Sequence, residues 1–170
     1  MSVDNFICDV NRQTPAFAFV PEGEHIPDFL GQIKSYDAVL MGAQTYEFGY
    51  QYGMKPGEPG YKGIKHYVFS RSINVRSNSE VEFVKTDAVE FVKNLKGKSG
   101  KKLWLCGGGN LAGTMLDNGL LDELVIKVNP SLLGDGVRLF GNSKRQVKLE
   151  LLDLKRYTSG VILSSYKIHY

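Results

Sequence analysis

The sequence predicts an α/β fold: a mixed, mainly parallel sheet flanked by helices, with an antiparallel hairpin at the C-terminal end. Three observations predict it. Short apolar runs alternate along the chain with stretches of helical periodicity, as in domains built from strand–helix units. Two of those runs pass through glycine directly into a helical pattern, at 40–47 and 103–115. The tail departs from this rhythm and reads as two strands joined at Thr158-Ser159-Gly160.

Each element follows in order. A helical pattern over 27–35 precedes the strand-like "DAVLMG" (37–42), and a second helix is expected over 44–51. "GMKPGEPGYKG" (53–63) is dense in glycine and proline and reads as a surface loop. "KHYVFS" (65–70) is the next strand. The helix over 86–96 is well marked, because Val89, Phe91, Val92 and Leu95 share one side and Asp87 stands where an N-terminal cap belongs. "KKLWLC" (101–106) reads as a buried strand. Beyond three glycines, Leu111, Met115 and Leu116 share a helical face that Asn118-Gly119 ends. "DELVIKVNP" (122–130) alternates Leu124, Ile126 and Val128 with polar residues, and strands over about 146–156 and 161–169 close the hairpin. No linker or repeat interrupts the pattern, so one domain is expected over 1–170.

Bulk properties narrow the function classes. A chain of 170 residues buries a core without disulfides or a metal. Apolar residues at 42% and charged residues at 23% are ordinary values, and the net charge of +3 is spread along the chain. The basic stretch Lys93–Lys102 carries no interleaved aromatics, which points away from nucleic acid. Cys8 and Cys106 form no CxxC, and His25, His66 and His169 have no metal-ligand spacing, so no metal is expected. No apolar run approaches the ~20 residues of a membrane span, and the chain reads as cytoplasmic.

The chemistry concentrates where strands meet helices. In "LWLCGGGNLAGTM", Gly107, Gly108 and Gly109 stand together although each glycine inside an element costs about 0.5–1 kcal/mol relative to alanine. Strand, glycines, helix is the arrangement that leaves backbone N–H groups open to a phosphate; it is also that of a plain tight turn. Gly107-x-Gly109-x-x-Ala112 satisfies a dinucleotide pattern, but no acidic residue follows at the distance a ribose contact needs. "LMGAQTYE" (40–47) repeats the junction. The Thr45 hydroxyl either meets a phosphate or caps the helix. A third strand end, "VFSRS" (68–72), supplies two hydroxyls and the planar fork of Arg71, which suits phosphate.

"VLMGAQTYE", "YVFSRS" and "LWLCGGGNLAGTMLDNGLLDELVIKVNPSLLGDGVRLF" together resemble the dihydrofolate reductase-like superfamily. The branch they match holds the reductase domain of bacterial riboflavin biosynthesis. The resemblance runs over nearly the whole chain. It implies an NADPH-dependent reductase acting on a small molecule, usually as a homodimer. It also implies that Gly42, Gln44 and Thr45, with Gly107, Gly108, Gly109 and Asn110, hold the cofactor's phosphates, and that Ser70, Arg71 and Ser72 face the ribose 2′-phosphate.

The chain departs from the family at several points. Ala43 stands where the family often has arginine, which puts more weight on Arg71. Cys106 replaces the glutamate that precedes the glycines in the riboflavin branch, and the deaminase domain often fused to that reductase is not part of this sequence. Both features point away from a ribosylaminopyrimidine substrate, and Cys106 is expected to be a packing residue. "SVDNFICD" (2–9) resembles the family's S-L-D-G-F-I-A-D segment, with Asn5 in place of glycine and no strand before it. Either β-forming residues lie upstream of Met1, or "PAFAFV" (15–20) takes an unusual place in the sheet. On the substrate side the resemblance offers Asp4 beside the pocket and Asp28 as a helix carboxylate, the two candidate catalytic acids; each is equally at home as a surface or capping aspartate. Tyr46 and Tyr50 are placed to stack on a flat substrate or to pack in the core, and the loop 129–140 is expected to close over the substrate. The alternative reading is a nucleotide-binding module of the same fold without turnover.

Overall fold

The computed structural model describes residues 1–98, 100 and 102–170. In chain order its elements are β1 (Phe6–Cys8), α1 (His25–Ile33), β2 (Tyr36–Gly42), α2 (Ala43–Glu47), a 3-10 segment (Phe48–Tyr52), β3 (Lys65–Phe69), β4 (Val81–Val84), α3 (Ala88–Lys96), β5 (Lys102–Gly107), α4 (Gly109–Asp117), β6 (Glu123–Val128), β7 (Val137–Arg138), β8 (Lys148–Arg156) and β9 (Ile162–His169). The chain divides into two compact units, Leu30–Leu111 and a second formed by Met1–Phe29 with Ala112–Tyr170.

The unit Leu30–Leu111 is built on a parallel sheet in the order β4-β3-β2-β5. β2 lies in its interior and is the best buried: Ala38, Val39, Leu40 and Met41 are all inaccessible, as a strand covered on both faces must be. Val39 and Met41 pack with Val68, Val81, Phe83, Ile33, Ile64, Ile73 and Tyr46. β5, expected to be buried, is the edge strand, and Leu103 to Cys106 are only half-buried. Lys101, where that strand was expected to begin, lies outside the described residues. β4 has four residues. That is too short to show a period, which is why the sequence pattern passes over it. α3 is capped by Asp87, whose carboxylate accepts from the N–H groups of Val89 and Glu90 at 2.9 and 3.0 Å. The helix expected over 44–51 is α2 followed by the tighter 3-10 segment.

In the other unit, β6, β9 and β8 form an antiparallel sheet, with the expected hairpin between β8 and β9. α4 stops as its sequence predicts. Gly119 adopts φ 66°, Gly119 N–H bonds the Leu116 carbonyl at 3.1 Å and Leu120 N–H the Met115 carbonyl at 2.9 Å, a Schellman pair. The start of the chain differs from expectation. Residues 15–20 form turns and take no place in a sheet. Their segment is held by Asn129 and Ser131 instead: Asn129 Oδ1 accepts from Val20 N–H and the Ser131 hydroxyl donates to the Ala18 carbonyl. β1 pairs antiparallel with β7. Asn5, in the position of the family's glycine, has φ 69°. Asparagine tolerates this left-handed conformation better than most residues, which explains how the chain does without glycine there.

Candidate functional site

The parallel sheet brings three predicted junctions side by side. Gly42 ends β2, Gly107 ends β5, and Ser70 follows β3. β2 pairs with β3 on one side and β5 on the other, with Gly42 opposite Phe69 and Met41 opposite Gly107. All ten cofactor candidates therefore lie along the carboxyl edge of one sheet within one unit. The chain leaves β2 towards β3 and β4, then returns to the far side of β2 as β5. The carboxyl ends of β2 and β5 thus flank a topological switch point, the position at which open α/β sheets receive ligands.

The glycines meet close neighbours there. The β2–β5 register slips between Leu105 and Gly107, leaving Cys106 as a bulge that turns the chain out of the strand. Gly107 has φ 128°, a conformation that side chains rarely adopt, and its bond to Gly108 is cis. A Cβ on Gly108 would stand 3.1 Å from the Thr45 hydroxyl oxygen, and one on Gly42 would stand 3.8 Å from the Gly108 nitrogen. Side chains would fill this cradle. Thr45 does not cap α2, which has no side-chain cap, so its hydroxyl faces the glycines instead. Neither α2 nor α4 carries an acidic residue in its first turn to repel an anion. Gln44 and Asn110 are exposed in those first turns.

The "SRS" turn divides its labour. Ser70 is buried, and its hydroxyl oxygen accepts from the N–H groups of Ser72 at 3.2 Å and Ile73 at 2.9 Å. Its oxygen is committed to holding the turn. Arg71 and Ser72 are exposed, and the Arg71 guanidinium makes no ion pair or hydrogen bond with another described residue.

Cys106 behaves as a packing residue. Burial pushes its thiol up to about 11, so it stays protonated at neutral pH, and its sulfur lies 3.9 Å from the Tyr61 hydroxyl. Tyr46 is core, not a stacking platform. It is 1% exposed, and its hydroxyl donates to the Glu58 carbonyl at 3.0 Å and accepts from Gly57 N–H at 2.8 Å, pinning the glycine-rich loop.

Asp4 and Asp28 belong to the other unit. The Asp4 carboxylate accepts from the N–H groups of Gly134 at 2.7 Å and Leu133 at 3.1 Å, so it anchors the loop that was expected to close over substrate. The Ser2 hydroxyl and these backbone donors hold its carboxyl below the usual range. Asp28 Oδ2 accepts from the Lys155 ammonium and from the Tyr157 hydroxyl at 2.7 Å. These two donors likewise hold Asp28 below its ordinary value, while burial and Asp28 push Tyr157 up to about 12. At neutral pH both aspartates are carboxylates, and the Tyr157 hydroxyl keeps its proton. Neither partner was visible from the sequence, where they stand 127 and 129 residues from Asp28 without a motif. Among the described residues, no cluster of His, Cys, Asp and Glu is able to hold a metal, and no helix is long and apolar enough to cross a membrane.

Comparisons with known proteins give the chain a family and a fold. The family model of the RibD C-terminal domain matches residues 27–163. The uncharacterised protein YyaP of Bacillus subtilis (strain 168) is 33% identical over 98% of this chain and 90% of its own length. A crystal structure from Shewanella sp. PV-4, of a protein assigned to riboflavin biosynthesis, superposes with a TM-score of 0.82 at 22% identity, covering 100% of this chain and 96% of that one. The pyrimidine reductase-like protein of Corynebacterium diphtheriae gives 0.72 at 18% identity, covering 100% and 89%. At these identities the two structures show a shared fold.

Proposed function

Because the chain belongs to the RibD C-terminal domain family, we propose that it is an NADPH-dependent reductase that acts on a flat nitrogen heterocycle of pyrimidine or pterin type. The observation that carries this reading is the row of three junctions along one sheet edge, centred on the β2–β5 switch point. The residues there fit a dinucleotide: a side-chain-free cradle at Gly107 and Gly108, a hydroxyl at Thr45, the N-terminus of α4 at Gly109 and Asn110, and an exposed cation at Arg71. Gly42 keeps that cradle open from the β2 side, and Gln44 and Ser72 add exposed polar groups beside it.

When bound, NADPH supplies the hydride. The chain's own part is to hold the pyrophosphate against glycine backbone and to select the 2′-phosphate through Arg71. Asp28 orients the Lys155 ammonium and the Tyr157 hydroxyl, both of which donate to its carboxylate. Asp4 acts by fixing the 131–136 loop. The proposal includes a cytoplasmic location and a homodimer. β8 supports the homodimer: all nine of its residues are exposed, including Leu149, Leu151, Leu152 and Leu154, on a sheet edge that solvent does not favour. A binding module without turnover is the second reading, favoured by the ionised state of both aspartates.

The test is an NADPH titration of the wild-type chain and of Gly108→Val, with NADPH oxidation followed against pyrimidines, pterins, flavins and small carbonyls. The expected result is binding by the wild type and at least tenfold weaker binding by a folded Gly108→Val. Unchanged affinity in that variant overturns the phosphate cradle. Binding without oxidation across the panel selects the second reading.

A further inference from the structure

On one face of the parallel sheet, a chain of contacts runs from a buried histidine to the glycine cradle. His66, in β3, is fully buried. Its cross-strand neighbours, Val39 of β2 and Val81 of β4, are both apolar. Its two ring nitrogens have different roles. Nδ1 lies 3.0 Å from the Ile64 carbonyl, which only accepts, so Nδ1 carries the proton. Nε2 lies 3.1 Å from the Tyr61 nitrogen, whose N–H only donates, so Nε2 is bare. The neutral imidazole thus ties the end of the glycine-rich loop to β3, while Tyr46 pins the same loop at Gly57 and Glu58.

Tyr61 extends the tie to β5. Its ring lies nearly parallel to His66, with centroids 6.1 Å apart, and tilts against Trp104 at 4.8 Å. Its hydroxyl lies 3.9 Å from the Cys106 sulfur. Trp104 and Cys106 belong to the stretch of β5 that leads into Gly107. β5 is an edge strand of its sheet, and its register against β2 slips at Cys106. Where the ladder is broken, side-chain packing holds the strand end, and Tyr61 supplies it. A proton on Nε2 would set a ring N–H against the Tyr61 N–H and break the tie. The charged groups acting on His66 are Glu80, just before β4, which favours the imidazolium, and Lys65, in β3, which opposes it. Burial is the largest influence, and it holds the ring below its ordinary 6.5. Burial also holds Tyr61 and Cys106 up, so both stay neutral.

We propose that His66 is a positioning residue for the cofactor cradle: its bare Nε2 tethers Tyr61, and Tyr61 holds the last side chains of β5 where the glycine turn begins. The inference rests on reading the β2–β5 edge as the NADPH site. Release of the tether takes up one proton. Below about pH 6.5, each further unit therefore shifts the balance up to about tenfold towards a released state whose imidazole titrates normally. NADPH affinity falls with the tethered fraction.

Calorimetric titration with NADPH from about pH 7.5 down to about pH 5.5 tests it, on the wild type, His66→Gln and Tyr61→Leu. Glutamine offers Tyr61 an acceptor that does not titrate, and leucine removes the ring while leaving His66 in place. Over that range the wild type is expected to lose about threefold to tenfold more affinity than either variant. The cofactor's own phosphate titrates near pH 6 but is common to all three proteins, so it cancels in the comparison. Trp104 is the chain's single tryptophan, and its fluorescence reads the tether directly. It should change over the same range in the wild type at constant far-UV circular dichroism. If His66→Gln does not fold, Tyr61→Leu carries the comparison. The same pH profile in the wild type and a folded variant overturns the inference and leaves the NADPH site standing. A Trp104 change that coincides with loss of secondary structure also overturns it, because His66 then takes part only in global unfolding. A wild type that binds no NADPH at any pH overturns the NADPH reading and this inference together.

Discussion

Gly113 and Gly31 are both helical glycines, and replacing each with alanine should move stability in opposite directions. Helix propensity alone favours alanine by about 0.5–1 kcal/mol at either position. A Cβ added at Gly31, in α1, would meet nothing within 4 Å. Gly31→Ala should therefore gain that full increment, about 1–4 °C in melting temperature for a chain of this size. Gly113, in α4, faces the Phe140 backbone. A Cβ there would stand 2.3 Å from the Phe140 carbonyl oxygen and 3.2 Å from Ser143 Cβ. Carbon contacts are comfortable only at about 3.5–4.0 Å. The obstructing atom is backbone and has no rotamer to change. It is also held by Ser143, whose N–H donates to it at 3.1 Å and whose hydroxyl donates to Asp117 at the end of α4. Overpacking of this kind costs about 1–3 kcal/mol, and the rigid neighbour argues for the upper end. After the propensity gain is subtracted, Gly113→Ala should lose about 2 kcal/mol, or roughly 4–8 °C. Urea denaturation with thermal melts of both variants checks this. A Gly113→Ala protein as stable as the wild type would refute the reasoning, because it would mean that α4 and the Phe140 turn separate freely.

Asp28 titrates below its unfolded value of about 3.9, so its hydrogen bonds stabilise the fold above that pH and the stabilisation is lost as acid protonates it. The urea midpoints of wild type and Asp28→Asn should accordingly differ at pH 6 and converge as the pH falls to 3; a constant gap would show that the carboxylate's charge is irrelevant. At Asn5, with φ 69°, alanine should cost about 1 kcal/mol and glycine should be near neutral, and equal stabilities for the two variants would remove the conformational argument.

Features whose causes lie within a few residues were legible in the sequence. Asp87 caps α3 because its carboxylate reaches N–H groups two and three residues ahead. Gly119 ends α4 because only a residue at ease with positive φ closes that turn. The glycines after β5 announced a close approach because their cost is local and their place between strand and helix is visible in one line of sequence. Features whose causes lie in pairing were not legible. That β2 runs between β3 and β5, so that three separate junctions share an edge, depends on which apolar faces bury one another across many residues. Lys155 and Tyr157 reach Asp28 through pairings that no local period encodes. Gly113 looks interchangeable with Gly31 in sequence. The Phe140 carbonyl, brought against it by the fold, makes one of them necessary and leaves the other free.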